Sequence, residues 1–198
     1  MPLLSKAIKD NGFAKAGAGG GKYLNPSTIQ EGDKIRITIL GDDSATGYEC
    51  WCDGPEGKRV KIAFADEPSR SDIEERAAEL KCKVTDETVA KRFMAFAIWN
   101  YESESLQVFQ FSQASLATPL INLLSDEEIE AEPHLYDFVI SATGQGRDKR
   151  YGVVAMPGRR RKDATDKVIN AAWEAVQTDG FDISALATGG DPFTGTPF

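Results

Sequence analysis

The chain has 198 residues, 41% of them hydrophobic and 27% charged, with a formal net charge of −8. That length holds one well-packed domain with tails or two small ones, and the balance is that of an ordinary globular protein rather than a fibrous or compositionally disordered one. No apolar run approaches the ~20 residues that span a bilayer, and the opening Met1-Pro2-Leu3-Leu4-Ser5-Lys6 lacks the basic flank and apolar stretch of a secretory signal, so the expectation is a cytoplasmic protein with no membrane partner.

Residues 1–21, which include the Gly- and Ala-rich run NGFAKAGAGGG, read as a flexible arm. A folded domain is expected over 22–177. Within it DKIRITIL (33–40) alternates, with Ile35, Ile37 and Ile39 on one side and Lys34, Arg36 and Thr38 on the other. Gly41-Asp42-Asp43-Ser44 predicts a turn, 48–52 a short second strand, and Asp53-Gly54-Pro55-Glu56-Gly57 another turn. Residues 58–64 alternate again, Val60, Ile62 and Phe64 inward, Arg59 and Lys61 outward. The period then changes. SRSDIEERAAEL (69–80) predicts a helix capped by Ser69 or Ser71, with Ile73, Ala77 and Leu80 on one face. KRFMAFAIWNY (91–101) predicts a long strand, apolar on both faces, that pairs with SLQVFQFS (105–112) as a hairpin. QASLATPLINLL (113–124) predicts a helix despite Pro119. After an acidic connector at 125–132, residues 136–143 and 150–156 form a second hairpin through Gly144-Gln145-Gly146, and 163–177 a last helix. Residues 178–198 hold three Asp and no Lys or Arg and are rich in Gly and Thr, which predicts a disordered acidic tail. The order implies a mainly β fold with inserted and C-terminal helices. Among small barrels that bind oligonucleotides the OB-fold β-barrel is the commonest.

The negative total argues against a polyanionic partner, but residues 147–162 carry seven basic residues and one acid. Contact with phosphates is local once salt has screened charges beyond ~10 Å. Binding a single strand requires a positive groove and aromatic faces for the bases, each stack worth ~1–3 kcal/mol. The outward strand faces supply Lys34, Arg36, Arg59 and Lys61. The second strand supplies Tyr48 and Trp51 on opposite faces, and the long strand Phe93, Trp99 and Tyr101. The last hairpin adds Arg147, Lys149, Arg150 and Tyr151, followed by GRRRK at 158–162. A strand aromatic is equally at home in a core, and Lys or Arg alternating with Ile marks any half-solvated sheet. The combination carries the expectation of DNA binding, not any one residue. The tail adds two Pro-Phe pairs, in Asp191-Pro192-Phe193 and Thr196-Pro197-Phe198. Such a peptide can dock a ring in a partner's pocket while a basic group takes the terminal carboxylate.

Cys50, Cys52 and Cys82 with His134 match the number of ligands in a zinc site, but C-x-C is not the spacing of a knuckle. Reduced, partly buried thiols and no cofactor are expected. One histidine, and no G-x-S-x-G, Walker or H-E-x-x-H motif, speak against an enzyme.

The order KYLNPSTIQEGDKIRITIL, RFMAFAIWNYESESLQVFQFSQASLATPLINLL and YDFVISATGQGRDKRYGVVAMP resembles the single-stranded DNA-binding proteins of tailed bacteriophages. Arg36, Phe111, Ser115, Tyr136, Asp137, Gly144, Gly146, Tyr151 and Val153 follow that family's order, and the resemblance covers roughly 22–157. Some relatives carry a zinc knuckle where this chain has the helical segment 69–81, so zinc is not carried over. The ending resembles the acidic, Pro-Phe-terminated tails of bacterial single-stranded DNA-binding proteins. The resemblance implies an OB-fold and sequence-independent binding of single-stranded DNA. It also implies a role in DNA replication, recombination or repair, in a host cytoplasm if the protein is phage-encoded. Replication or recombination proteins would be recruited through the tail, and a homo-oligomer is compatible with it. The alternative is an OB-type adaptor that binds a host protein.

Overall fold

The structure is a computed structural model that describes residues 21–157 and 163–193. Alternating sequence becomes strand: β1 (Tyr23–Leu24), β2 (Lys34–Asp53), β3 (Arg59–Phe64), β4 (Lys91–Asn100), β5 (Ser105–Phe111), β6 (Tyr136–Thr143) and β7 (Arg150–Pro157). The helices are α1 (Arg70–Glu79), α2 (Ala114–Leu124), α3 (Glu127–Ala131) and α4 (Asp163–Thr178). The fold is therefore mixed α/β. The seven strands form one sheet in the order β1-β5-β4-β2-β6-β7, with β3 paired to β2. The pairs β2–β3, β2–β6 and β6–β7 are antiparallel, and β1–β5 is parallel. Among the described residues no pairing joins β1 to β7, so the sheet is not closed.

The turn expected at Gly41-Asp42-Asp43-Ser44 is absent, and β2 runs unbroken for 20 residues. Gly41 lies within it. Its φ of +67° changes the chain's direction, which an L side chain resists and glycine does not. The missing Cβ also admits the Trp173 ring of α4, since a Cβ there would stand 2.7 Å from Cζ2.

The chain divides into two compact units: residues up to Asp43 with Phe96–Thr178, and Ser44–Ala95 with the segment after Thr178. β2 and β4 each contribute to both in turn. In the first unit Ile37, Ile98, Val108, Phe109, Phe138 and Ile140 are fully buried, and Leu116 and Leu120 of α2 and Ile169 of α4 are buried with them. α2 packs against β7. Each such side chain contributes roughly 1.5–3 kcal/mol of transfer free energy.

In the second unit Cys50, Cys52 and Ile62 meet Ile73 and Ala77 of α1. Ile73 and Ala77 lie four apart and so share a helix face. The helix starts where the sequence placed it. Ser69 accepts from the Asp72 N–H while the Asp72 carboxylate accepts from the Ser69 N–H, a complete capping box.

The expected disorder of 178–198 does not hold for the part described. Residues Ile183–Thr188 form a 3-10 helix that packs against β3, with Ile183 and Leu186 buried. Asp182 accepts from the Ser184 N–H, and the Asp182 N–H donates to the Pro192 carbonyl at 2.8 Å. The Phe181 and Phe193 rings meet edge to face at 5.3 Å. A polar average hid this. Two apolar residues three apart suit a three-residue turn, and few contacts suffice for so short a segment. Among the described residues no helix is long and apolar enough to cross a membrane.

Candidate nucleic-acid interface

Register sets the site in the first unit. Lys34, Ser141 and Gly152 form one row across β2, β6 and β7; Arg36, Val139 and Val154 the next; Thr38, Asp137 and Met156 a third. Residues directly opposite on antiparallel strands share a face. The other face carries Ile37, Phe138 and Ile140 and is the core. The first two rows are open: Lys34 and Gly152 are exposed, and Val154 is 62% exposed. Gly152 leaves its peptide bare beside Ser141, whose Oγ would stand 3.1 Å from an added Cβ. The third row is closed, with Thr38 and Asp137 buried and the Thr38 hydroxyl donating to the Tyr136 carbonyl at 3.0 Å. Arg150, opposite Thr143, extends the open end. Among the described residues these make an open strip of apolar and backbone surface edged by cations.

Arg36 is not a plain surface cation. Its Nε donates to Asp137 Oδ2 at 3.0 Å, and its Nη2 donates to the same oxygen. The Tyr101 hydroxyl donates to Oδ1 at 2.8 Å. The guanidinium carbon lies 4.5 Å from the Tyr101 ring centroid. The bond to Asp137, partly opposed by desolvation, holds the Arg36 pKa above its ordinary value.

Lys149 and Tyr151 serve the fold. The Tyr151 hydroxyl donates to the Pro26 carbonyl at 2.9 Å, and the Lys149 ammonium donates to the Ser27 carbonyl at 2.8 Å. Together they clamp the 3-10 turn Pro26–Thr28. Tyr151 is buried, which raises its pKa and removes it from the stacking surfaces. The Arg147 side chain lies outside the described residues, as do residues 1–20, the run 158–162, Pro197 and Phe198.

In the second unit, Trp51 stands opposite Lys61, with Arg59 opposite Asp53, on the outer face of the β2–β3 pair. Trp51 is 46% exposed. Both cations have acidic neighbours: Lys61 lies 3.9 Å from Glu49, and Arg59 lies 3.6 Å from Asp53. Burial pulls the Lys61 pKa down, and Glu49 offsets part of that. Arg59 also donates to the Trp51 carbonyl at 3.3 Å. Tyr48, on the opposite face as the alternation requires, is half-buried beside the core positions Cys50 and Ile62.

Two expected stacking platforms are core. Phe93 is 1% exposed and Trp99 6%, because β4 is flanked by β5 and β2 and carries apolar residues on both faces. Of the tail's expected docking residues, Pro192 is buried, Phe193 packs on Phe181, and Asp191 accepts from the Phe193 N–H. The three cysteines join one apolar cluster rather than a ligand set, and burial pushes the Cys50 thiol up to about 12. Among the described residues no three His, Cys, Asp or Glu side chains gather as a metal site requires.

Asp137, Ser141, Gly152 and Val154 are the residues the strand-face reading passed over as a site. Asp137 carried a signal, since an acid between Tyr136 and Phe138 in an apolar strand needs a partner if it is buried. The chain matches no family model, no curated protein and no solved structure.

Proposed function

We propose that this chain is a non-enzymatic, sequence-independent single-stranded DNA-binding protein acting in DNA replication, recombination or repair. The sheet is read as a partly open OB-type arrangement, whose strand face is where that fold takes oligonucleotides. The observation that carries the reading is the part of the β2, β6 and β7 face that stays open among the described residues. There Lys34 and Arg150 edge a strip in which Val154 and the bare Gly152 peptide stay exposed. Trp51 supports it from the second unit as a large ring open to solvent. A duplex binds such a surface less well, because its bases are already stacked on one another.

The test is an anisotropy titration of labelled oligo-dT and a matched duplex over a salt series. Tight single-strand binding, weaker duplex binding, and a log–log salt slope of about −0.7 per phosphate contacted support the reading. No binding of either at low salt refutes it and leaves an OB-type adaptor for a protein partner.

A further inference from the structure

We infer that Arg36 and Tyr101, oriented by Asp137, form a charge-compensated seat on which a nucleobase stacks, and that Arg36 is not a phosphate contact. This rests on the single-strand-binding reading above. Asp137 is buried between the two groups it orients, one carboxylate oxygen taking Arg36 and the other taking the Tyr101 hydroxyl. The backbone adds a third tie, the Tyr101 N–H donating to the Arg36 carbonyl at 3.1 Å. Two strand residues and the first residue of the turn after β4 therefore fix the guanidinium against the ring.

What reaches solvent here is the Arg36 side chain, not the acid: it is 35% exposed and that of Asp137 4%. An approaching phosphate meets a cation whose charge is already compensated at hydrogen-bond distance, and so feels little more than a dipole. A base meets something better suited to it. The guanidinium is planar and weakly hydrated, and stacks on π faces. Its row continues through Val139 and Val154, apolar and in part uncovered, where a sugar or a second base can lie. The next row offers Lys34, exposed and opposite Ser141 of β6, as the phosphate contact. Stacking and charge are thus divided between adjacent rows, and Asp137 is a positioning residue for the first.

The experiment compares oligo-dT with an abasic strand of equal length, which keeps the phosphates and removes the bases. Both are titrated across salt with the wild type and with Arg36→Lys, Tyr101→Leu, Asp137→Asn and Lys34→Ala. Arg36→Lys keeps the ion pair and the charge while removing the plane, so it guards against a variant that simply unfolds. Arg36→Lys and Tyr101→Leu should cut the preference for dT over the abasic strand by about 5-fold or more, the low end of one lost stack, and leave the salt slope unchanged. Asp137→Asn should also lower that preference, but steepen the slope by about 0.7 as Arg36 becomes available to phosphate. Lys34→Ala should make the slope shallower by about 0.7 and leave the preference intact. If the wild type binds and prefers dT, but Arg36→Lys and Tyr101→Leu keep that preference, the seat is refuted and the binding function stands. If the wild type binds neither strand, both fall.

Discussion

Alanine at Phe93 and alanine at Trp51 remove large rings from two strands of the same unit, and the two should fail in different assays. Phe93 is 1% exposed, and its ring lies so close to Gly47 that a Cβ there would stand 3.0 Å from Cε1. Truncation loses the transfer free energy of the ring and leaves a cavity, about 3–5 kcal/mol together. At roughly 2–4 °C per kcal/mol for a chain of this length, the melting temperature should fall by on the order of 10 °C. Trp51 is 46% exposed, so about half of a ~200 Å² ring surface is covered and no sealed cavity forms. Its loss should cost about 1–2 kcal/mol of stability, below the full area figure because the unfolded chain covers part of the ring as well. In binding the order reverses: Trp51→Ala should weaken oligo-dT by about 1–3 kcal/mol, the worth of one stack, while folded Phe93→Ala binds as the wild type does. Urea unfolding followed by circular dichroism gives the first quantity and anisotropy below the melting range the second. A Phe93→Ala protein of near-normal stability that no longer binds would overturn the assignment of core and platform.

Gly41→Ala combines a left-handed backbone with a 2.7 Å contact on Trp173, so it should destabilise by about 2–4 kcal/mol, read by urea midpoint. A stability unchanged within error would mean that the Trp173 ring does not sit on Gly41. Ile183→Ala and Leu186→Ala should each cost about 2–4 kcal/mol, because these residues are buried, read by urea midpoint. Limited proteolysis that clips freely between Asp179 and Phe193 would contradict the folded segment. The Cys50 thiol sits at about 12 in the fold against an ordinary 9.0, with burial the main cause. Below pH 9 both states hold the proton and stability is indifferent to it. Between about 9 and 12 only the unfolded chain releases the proton, so stability falls as pH rises through that window. Urea midpoints at pH 8, 9.5 and 10.5 should decline, and less so in Cys50→Ala.

The strand faces were legible because alternation is a local signal. Ile35, Ile37 and Ile39 against Lys34, Arg36 and Thr38, and Val60, Ile62 and Phe64 against Arg59 and Lys61, sort correctly within their own segments. The helix at Arg70–Glu79 was legible for the same reason, its capping box lying within four residues. What escaped was non-local. The aromatic-rich KRFMAFAIWNY offers Phe93, Trp99 and Tyr101 as equivalent positions, and only the structure separates two core rings on β4 from Tyr101, half-buried in the turn that follows it. Gly41-Asp42-Asp43-Ser44 reads as a turn because its composition is turn-forming, and composition does not report the strand that runs through it. Asp137 declared a need for a partner, but the donor lies 101 residues away, and only the β2–β6 register brings it near.

The same non-local pairing changes what the cations can do, and that can be measured. Besides the run at 158–162, whose share is removed by changing Arg159, Arg160, Arg161 and Lys162 to alanine in the protein titrated, seven basic residues stand among the expected DNA contacts: Lys34, Arg36, Arg59, Lys61, Arg147, Lys149 and Arg150. If every one met a phosphate, the log–log salt slope for a single strand would be about −5. Arg36, Arg59 and Lys61 face acids among the described residues, and the three pairs differ. Arg59 and Asp53 are both well exposed, and such a pair is worth at most about 1 kcal/mol, so a phosphate displaces the acid readily. Lys61 is partly desolvated beside Glu49, and Arg36 is bonded to a buried carboxylate that would be stranded without it. Stranding a buried charge costs more than a surface phosphate contact returns. Arg36 and Lys61 should therefore stay with their acids, leaving at most five contacts and a slope no steeper than about −3.5. A slope near −5 in an oligo-dT salt series would mean that both pairs open on binding, and that stacking on Arg36 is not how this face holds a strand.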